Sequence, residues 1–421
     1  MSSSFQNIPI AGRVKILGTH VRNITTDFLV IGGGVIGINM ALHAKARYPD
    51  ADVTVIEKEK QCGEHASGRN SGVLHAGFYY SADSLKARLT REGNRRLTEY
   101  CLERGLRINQ CGKLVVARSE ADFNGLDELL RRARVNGVEL FEISEHDALE
   151  IEPRARVFQR ALFSPTTASI DPVEVMQAFV SDAKQAGIRI LTNTKYNRRR
   201  TQEIETSQGN ISAGYVINAS GLYADRIARE YGLSENYRIL PFKGLYLNGV
   251  KDASRLRTNI YPVPDLRNPF LGVHHTVTVD GRAKIGPTAI PCLWREHYNG
   301  FENFSFPELA DVVMRGASLF LKNDFGFREL AWSEVQKYHR SHMLQLASEL
   351  VTDISDTAYT HWGKPGIRAQ LLDIKARRLV MDFRTEGDHC SFHILNAVSP
   401  AFTCSTTFSE YAFDRIEELL H

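Results

Sequence analysis

Two stretches of this chain set chemically capable residues at spacings that packing alone does not require. The first is Gly32-Gly33-Gly34-Val35-Ile36-Gly37, which fits G-x-G-x-x-G. It follows the apolar run DFLVI and precedes VIGINMALHAKARY, whose apolar residues recur at helical spacing until Pro49 stops them. In such a strand–turn–helix, Gly32 permits the tight turn, Gly34 lets a pyrophosphate approach the backbone, and Gly37 lets the helix pack closely. The free N–H groups at Val35 and Ile36, with the positive end of the helix dipole, favour phosphate. A second strand, ADVTVIE, ends at Glu57. A carboxylate there accepts hydrogen bonds from a ribose diol and repels a 2′-phosphate, which favours FAD or NAD over NADP. Lys58, next in the chain, is taken as a contact of the same nucleotide.

The second stretch is HASGRNSGVLHAGFYY, His65 to Tyr80. It is too broken by glycine for a helix and too polar for a buried strand. Ser67, Asn70, Ser71 and Gly72 offer hydroxyl, amide and backbone groups to phosphate, ribitol or ring edges. His75 can accept a proton, since imidazole titrates near neutrality. His65 is read as a loop hydrogen bond. A later turn, Asn218-Ala219-Ser220-Gly221, follows the strand YVI and leads into another helix.

These residues need a scaffold, and the rest of the chain supplies one. At 421 residues, two domains are the expectation, with a large core. A net charge of +3 argues against a dedicated nucleic-acid binder while allowing a local basic pocket. No apolar run reaches membrane-spanning length. The six cysteines form no C-x-x-C pair, so no metal site is expected and scattered thiols fit a reducing, cytoplasmic setting. Residues 1–26 read as an N-terminal extension, with a mitochondrial presequence as the alternative. Amphipathic helices are predicted over 85–105, 121–136, 172–185, 306–350 and 408–420. Residues 240–290 read as short antiparallel strands broken by Pro and Gly.

Beyond these local readings, the chain resembles the FAD-dependent L-2-hydroxyglutarate dehydrogenases and oxidases of the D-amino-acid-oxidase-like superfamily. The stretches that carry the resemblance are DFLVIGGGVIG, VIEKEK, NSGVLHAGFYY, CGKLVVA, GLYADRI, NIYPVPD, PFLGVHHT, GIRAQ and NAVSPA, from about Asp27 to Leu420. It implies an α/β fold: a Rossmann-like FAD domain of the glutathione-reductase class with a β-rich α+β substrate domain. The FAD domain is expected over 27–110, 161–235 and 355–421, and the substrate domain over 111–160 and 236–354.

The resemblance further implies oxidation of an L-2-hydroxy acid, L-2-hydroxyglutarate to 2-oxoglutarate in the leading case, by hydride transfer to flavin N5. An amino acid or related amine is the alternative substrate, and a flavoprotein without turnover is the reading outside enzymology. Electrons would pass to oxygen, a quinone or another carrier. Some relatives act at membranes, so a peripheral membrane contact is an expectation. Ala219, Gly221, Gly366, Ser399 and Ala401 are expected to touch FAD.

For the chemistry, Arg368 is the expected carboxylate clamp, because guanidinium pairs with carboxylate through two parallel bonds. Lys243 or Arg295 is expected to take a second carboxylate. His75 or His274 would be the base, and alternation along a strand allows only one of His274 and His275 to reach substrate. Tyr261 would hydrogen-bond substrate. The chain departs from the family pattern at Arg69, Lys243, Leu245, Thr288 and Phe402, which leaves FAD binding intact and the dicarboxylate substrate open.

Overall fold

The apolar run before the glycine motif forms β1 (Ile24–Ile31), the axis of the larger structure. A computed structural model of the chain describes residues 24–201, 203–250, 255–265 and 270–421. Residues 1–23 of the expected extension, and with them most of the presequence alternative, lie outside the described residues, whereas Ile24 to Thr26 already belong to β1. The motif continues into α1 (Val35–Arg47) and then β2 (Val53–Ile56). β1 pairs in parallel with β2 on one side and with the strand Gly209–Asn218 on the other. β2 pairs onward with Arg189–Leu191, and Gly209–Asn218 with Ser391–Asn396, both in parallel. Parallel strands need covered faces. The buried residues of α1, of Pro172–Gln185 and of the closing helix Ser405–Leu420 form one apolar cluster with Val30, Val55 and Ile217.

A second sheet runs in the order His361–Trp362, Leu247–Asn248, Ala283–Gly286, His274–Val277, Asn259–Pro262, Lys113–Val116, Arg160–Ser164, Phe141–Ser144. It is antiparallel except between Asn259–Pro262 and Lys113–Val116, which pair in parallel because the chain leaves the sheet between them. One face packs Ile260, Ile285 and Leu114 on the helix Arg340–Ser348. The opposite face carries Lys113 and Tyr261 towards Phe78 and Tyr79. The expected boundary at residue 161 cuts the strand Arg160–Ser164, whose ladder with Lys113–Val116 ties it to this sheet. His361–Trp362, inside the 355–421 stretch expected for the FAD domain, likewise pairs with this second sheet. A smaller antiparallel sheet joins the halves, with Tyr237–Gly244 beside Gly366–Asp373.

Among the described residues, no helix is long and apolar enough to cross a membrane. Where the chain passes from the first sheet to the smaller one, Arg295 and Asp225 are fully buried and joined by two parallel bonds of 2.7 and 2.9 Å. Arg295 also donates to the carbonyl of Leu222. Removing one partner of such a pair strands the other charge in low dielectric, at about 3–5 kcal/mol. Asp225→Ala is therefore expected to lower the unfolding temperature by several degrees, and adding Arg295→Met to restore much of it. Equal stability of the Asp225→Ala variant and the parent in a thermal melt would contradict this account.

Burial also pushes two core histidines, His275 and His393, down to about 4. In the unfolded chain they titrate near 6.5, so between those values the unfolded state binds more protons. Their contribution is complete above pH 6.5 and is lost as the pH falls towards 4. Urea midpoints should therefore be lower at pH 5 than at pH 7, and His275→Gln should flatten that difference.

Candidate active site

The glycine turn owes its shape to contacts that leave no room for side chains. Gly32 has φ +110°, and a Cβ on it would lie 2.6 Å from the carbonyl oxygen of Ala219. A Cβ on Gly37 would lie 1.9 Å from the carbonyl oxygen of Gly32, so α1 sits directly on the turn. Gly34 caps α1 without a side chain, and the Val35 N–H donates to Ser67 Oγ at 2.9 Å. Glu57 is buried, accepting from the Gly33 N–H at 2.8 Å and the Glu59 N–H at 2.9 Å. The turn, the helix start and the carboxylate are thus fixed to one another before any ligand arrives.

They border a cavity of about 970 Å³. Gly32, Gly34, Val35, Ile36, Glu57 and Lys58 all border it, as do Ser67, Asn70 and Ser71 from the loop. Ala219 and Gly221 border it from the second turn, and Gly366, Ser399 and Ala401 from the late segments. Gly37 and Gly72 do not. Gly37 serves the helix contact, and Gly72, at φ +74°, turns the chain where a Cβ would strike the Ile170 carbonyl at 2.3 Å. Asn70 mainly ties its own loop, donating to the Ser67 carbonyl at 2.7 Å and accepting from the Gly72 N–H at 2.8 Å. Volume, helix N-terminus, glycine cradle and a carboxylate bordering the cavity at the end of the second strand together fit an FAD.

His75, Arg368 and Tyr246 line the same cavity. Arg368 donates to the Thr288 carbonyl at 2.9 Å and has no carboxylate partner among the described residues. His75 is buried and its Nδ1 makes no hydrogen bond. Burial, and then the charges of Lys113 and Lys86, hold its pKa well below the ordinary imidazole value, so the ring is neutral.

The other expected catalytic residues fall elsewhere. His274 and Tyr261 do not border the cavity; their rings stack at 3.6 Å, and His274 Nδ1 is engaged by the Gly272 carbonyl at 2.9 Å. His275 points to the opposite face and bonds the Ala347 carbonyl, so alternation holds for the pair. Lys243 pairs with Ile367 and Arg368 with Phe242 across the same ladder. The lysine therefore leaves the sheet on the side away from Arg368 and does not share its cavity. Arg295 is consumed by Asp225.

Arg69 lies over the Tyr298 ring at 4.3 Å and donates to the Glu64 carbonyl at 2.6 Å. With a further bond to the Pro365 carbonyl, it ties the loop to the segment before Gly366. Glu59, His65 and Glu296 form a cluster of metal-ligand type, but the Lys58 ammonium lies 2.6 Å from both carboxylates. His65 also meets the Tyr298 hydroxyl at 2.6 Å.

Sequence reasoning missed Tyr246, which borders the cavity, and the buried Lys113. Lys113 is wholly buried without a hydrogen-bond partner, 4.2 Å from the centroid of Tyr261 and near the Phe78 and Tyr79 rings. Desolvation pushes it down to about 7. The alternation of CGKLVVA was the available signal, because it sets Lys113 and Val115 on one face.

Comparison with known proteins agrees with this geometry. A family model described as FAD dependent oxidoreductase, DAO, matches residues 27–413. The chain is 34% identical to the mitochondrial L-2-hydroxyglutarate dehydrogenase of Bos taurus, over 99% of this chain and 94% of the relative. It is 32% identical to the L-2-hydroxyglutarate dehydrogenase of Escherichia coli strain K12, over 94% of each. Among solved structures, the FAD-bound L-alpha-glycerophosphate oxidase of Mycoplasma pneumoniae superposes with a TM-score of 0.71 at 21% identity, covering 93% of this chain and 95% of that one. Glycine oxidase from Geobacillus kaustophilus gives 0.68 at 19%, covering 94% and 95%. With a glycine turn, a buried Glu57 and a matching cavity in place, the chain belongs to the DAO family of FAD dependent oxidoreductases.

Proposed function

We propose that the protein oxidises an L-2-hydroxy acid, with L-2-hydroxyglutarate as the substrate and 2-oxoglutarate as the product. The observation that carries this reading is that an unpaired guanidinium, Arg368, and a neutral imidazole, His75, both line the cavity that the glycine turn borders. The full-length relatives named L-2-hydroxyglutarate dehydrogenase support it.

Bound FAD supplies the two-electron acceptor. Arg368 holds the carboxylate next to the reacting carbon through two parallel bonds and so fixes which face of that carbon is presented. His75, uncharged, accepts the proton of the substrate hydroxyl as the carbonyl forms. An anionic substrate beside it favours the imidazolium, so basicity rises when substrate is seated. Val35, Ile36 and Ser67 serve the pyrophosphate, and Glu57 the ribose.

The acceptor that would reoxidise bound FAD is oxygen, a quinone or another carrier. A lipid-held carrier suits the helix Phe306–Lys322, which buries Val312 and Leu319 while turning Phe306, Met314 and Leu321 outwards, at 70%, 67% and 73% exposure. An outward apolar face of this kind fits a membrane interface. Co-sedimentation with anionic lipid vesicles should be seen for the parent and lost in Met314→Ser/Leu321→Ser; equal sedimentation of the two would remove the membrane reading.

The reaction itself is tested by mixing anaerobic FAD-loaded protein with L-2-hydroxyglutarate, other 2-hydroxy acids and amino acids. L-2-hydroxyglutarate should bleach the flavin absorbance. Arg368→Met should raise KM by roughly a hundredfold, and His75→Gln should lower kcat by roughly 10²–10⁴-fold with KM little changed. Bleaching by an amino acid and by no hydroxy acid would overturn the proposal.

A further inference from the structure

A guanidinium pairs with a carboxylate through two parallel bonds only if its planar fork is aimed correctly, and an aim fixed beforehand costs the substrate least. Among the described residues, one directional bond sets that aim for Arg368: its Nη1 donates to the Thr288 carbonyl at 2.9 Å. The Phe270 ring, with its centroid 5.6 Å from the guanidinium carbon, adds attraction without fixing an angle.

The sheet around the fork is bare. Gly366 lies two residues before Arg368 on one strand, and Gly244 pairs with Gly366 across the ladder, so both glycines are on the Arg368 face. Both border the cavity. A Cβ on Gly244 would lie 3.4 Å from Arg368 Nη1 and 3.5 Å from the Thr288 carbonyl oxygen, so the bond between those two atoms passes over that glycine. With no side chain at either position to lean on, the guanidinium points where Thr288 holds its carbonyl.

Thr288 is itself tied down on three sides. It lies between the strand Ala283–Gly286 and the strand Ile290–Pro291, which pairs with Tyr237–Gly244. It has no accessible surface. Its hydroxyl donates to the Lys243 carbonyl at 2.9 Å and accepts from the Leu245 N–H at 3.0 Å. Its own N–H donates to the Leu245 carbonyl at 3.2 Å. These bonds grip the chain on either side of Gly244. They also fix the residue before Tyr246, which borders the cavity with its hydroxyl beside Ser71.

We propose that Thr288 is the positioning residue of the carboxylate clamp: its hydroxyl locks it to the strand end around Gly244, and its carbonyl, so placed, aims the Arg368 guanidinium into the cavity. This rests on the hydroxy-acid reading above, in which Arg368 takes the carboxylate beside the reacting carbon. Serine keeps the hydroxyl and with it both side-chain bonds. Valine keeps the shape and makes neither.

The test is a double-mutant cycle on FAD-loaded full chains: parent, Thr288→Val, Arg368→Met and the two together, with Thr288→Ser as the conservative variant. One readout is KM for L-2-hydroxyglutarate. The other needs no turnover: the concentration of glutarate, which has no hydroxyl to oxidise, that half-perturbs the flavin spectrum. Thr288→Val should raise both roughly tenfold, the effect of a misaimed pair, and Thr288→Ser should leave both near the parent values. In the Arg368→Met background the valine should change neither, because the group it aims is gone. If Thr288→Val does not take up FAD, Thr288→Ala, which removes the same hydroxyl with less bulk, replaces it in the cycle.

Glutarate binding that is weakened by Arg368→Met but untouched by Thr288→Val would overturn the inference and leave the clamp standing. An equal loss from valine in both backgrounds would also overturn it, since Thr288 would then act on the fold and not through Arg368. Unchanged binding in Arg368→Met would sink the clamp, and the role of Thr288 with it. If the parent binds glutarate but oxidises no hydroxy acid, the proposed reaction fails, and the cycle on glutarate still decides the role of Thr288.

Discussion

The site depends on one contact without side chains. The N-terminus of α1 rests on the carbonyl of Gly32, and a methyl on Gly37 would lie 1.9 Å from that oxygen. No rotamer relieves such an overlap, because both partners are backbone. Because the helix can sit there, its first N–H groups open on the cavity. β1 can then run straight into the turn, and the next strand ends with Glu57 under Gly33. Every later contribution to the cavity is placed relative to this junction. Ala219 abuts Gly32 from the neighbouring strand, and Ser67 reaches back to Val35.

From that junction outward, the substrate end is organised by which face of a sheet a residue occupies. In the eight-stranded sheet the face towards the helix Arg340–Ser348 is apolar, and the opposite face gathers Lys113, Tyr261, His274 and Lys284. In the smaller sheet Arg368 and Lys243 are close along the ladder but project to opposite sides. A period of two residues thus separates Arg368, which borders the cavity, from Lys243, which does not.

The local elements were legible in the sequence because their signals are local. Asp171-Pro172 starts a helix by capping its first N–H groups, and Gly137 ends one in the left-handed region at φ 64°. The nucleotide end was legible for the same reason, since turn, helix start and Glu57 lie within one short unit. The substrate end was not. Arg368, His75 and Tyr246 come from three distant segments, and only the fold brings them to one cavity. Lys243 and Arg295 looked like ligands for an acid because a basic residue carries no mark of its partner. Asp225, seventy positions before Arg295 in the chain, is what removes it.

Buried positive charge lies close to His75, the proposed base. Lys113, caged by aromatic rings and close to 7 in pKa, gains or loses its proton in the range where an ordinary imidazole would. His75 and His274 both feel it, and both are held well below their usual value. A proton on Lys113 makes one on His75 more costly, so the imidazole waits uncharged with an acceptor nitrogen available. An incoming carboxylate reverses that balance, since its charge offsets the lysine and makes imidazolium tolerable when the hydroxyl proton must go somewhere. In the proposed reaction, desolvation keeps His75 neutral and the charge of a bound carboxylate would strengthen it as a base.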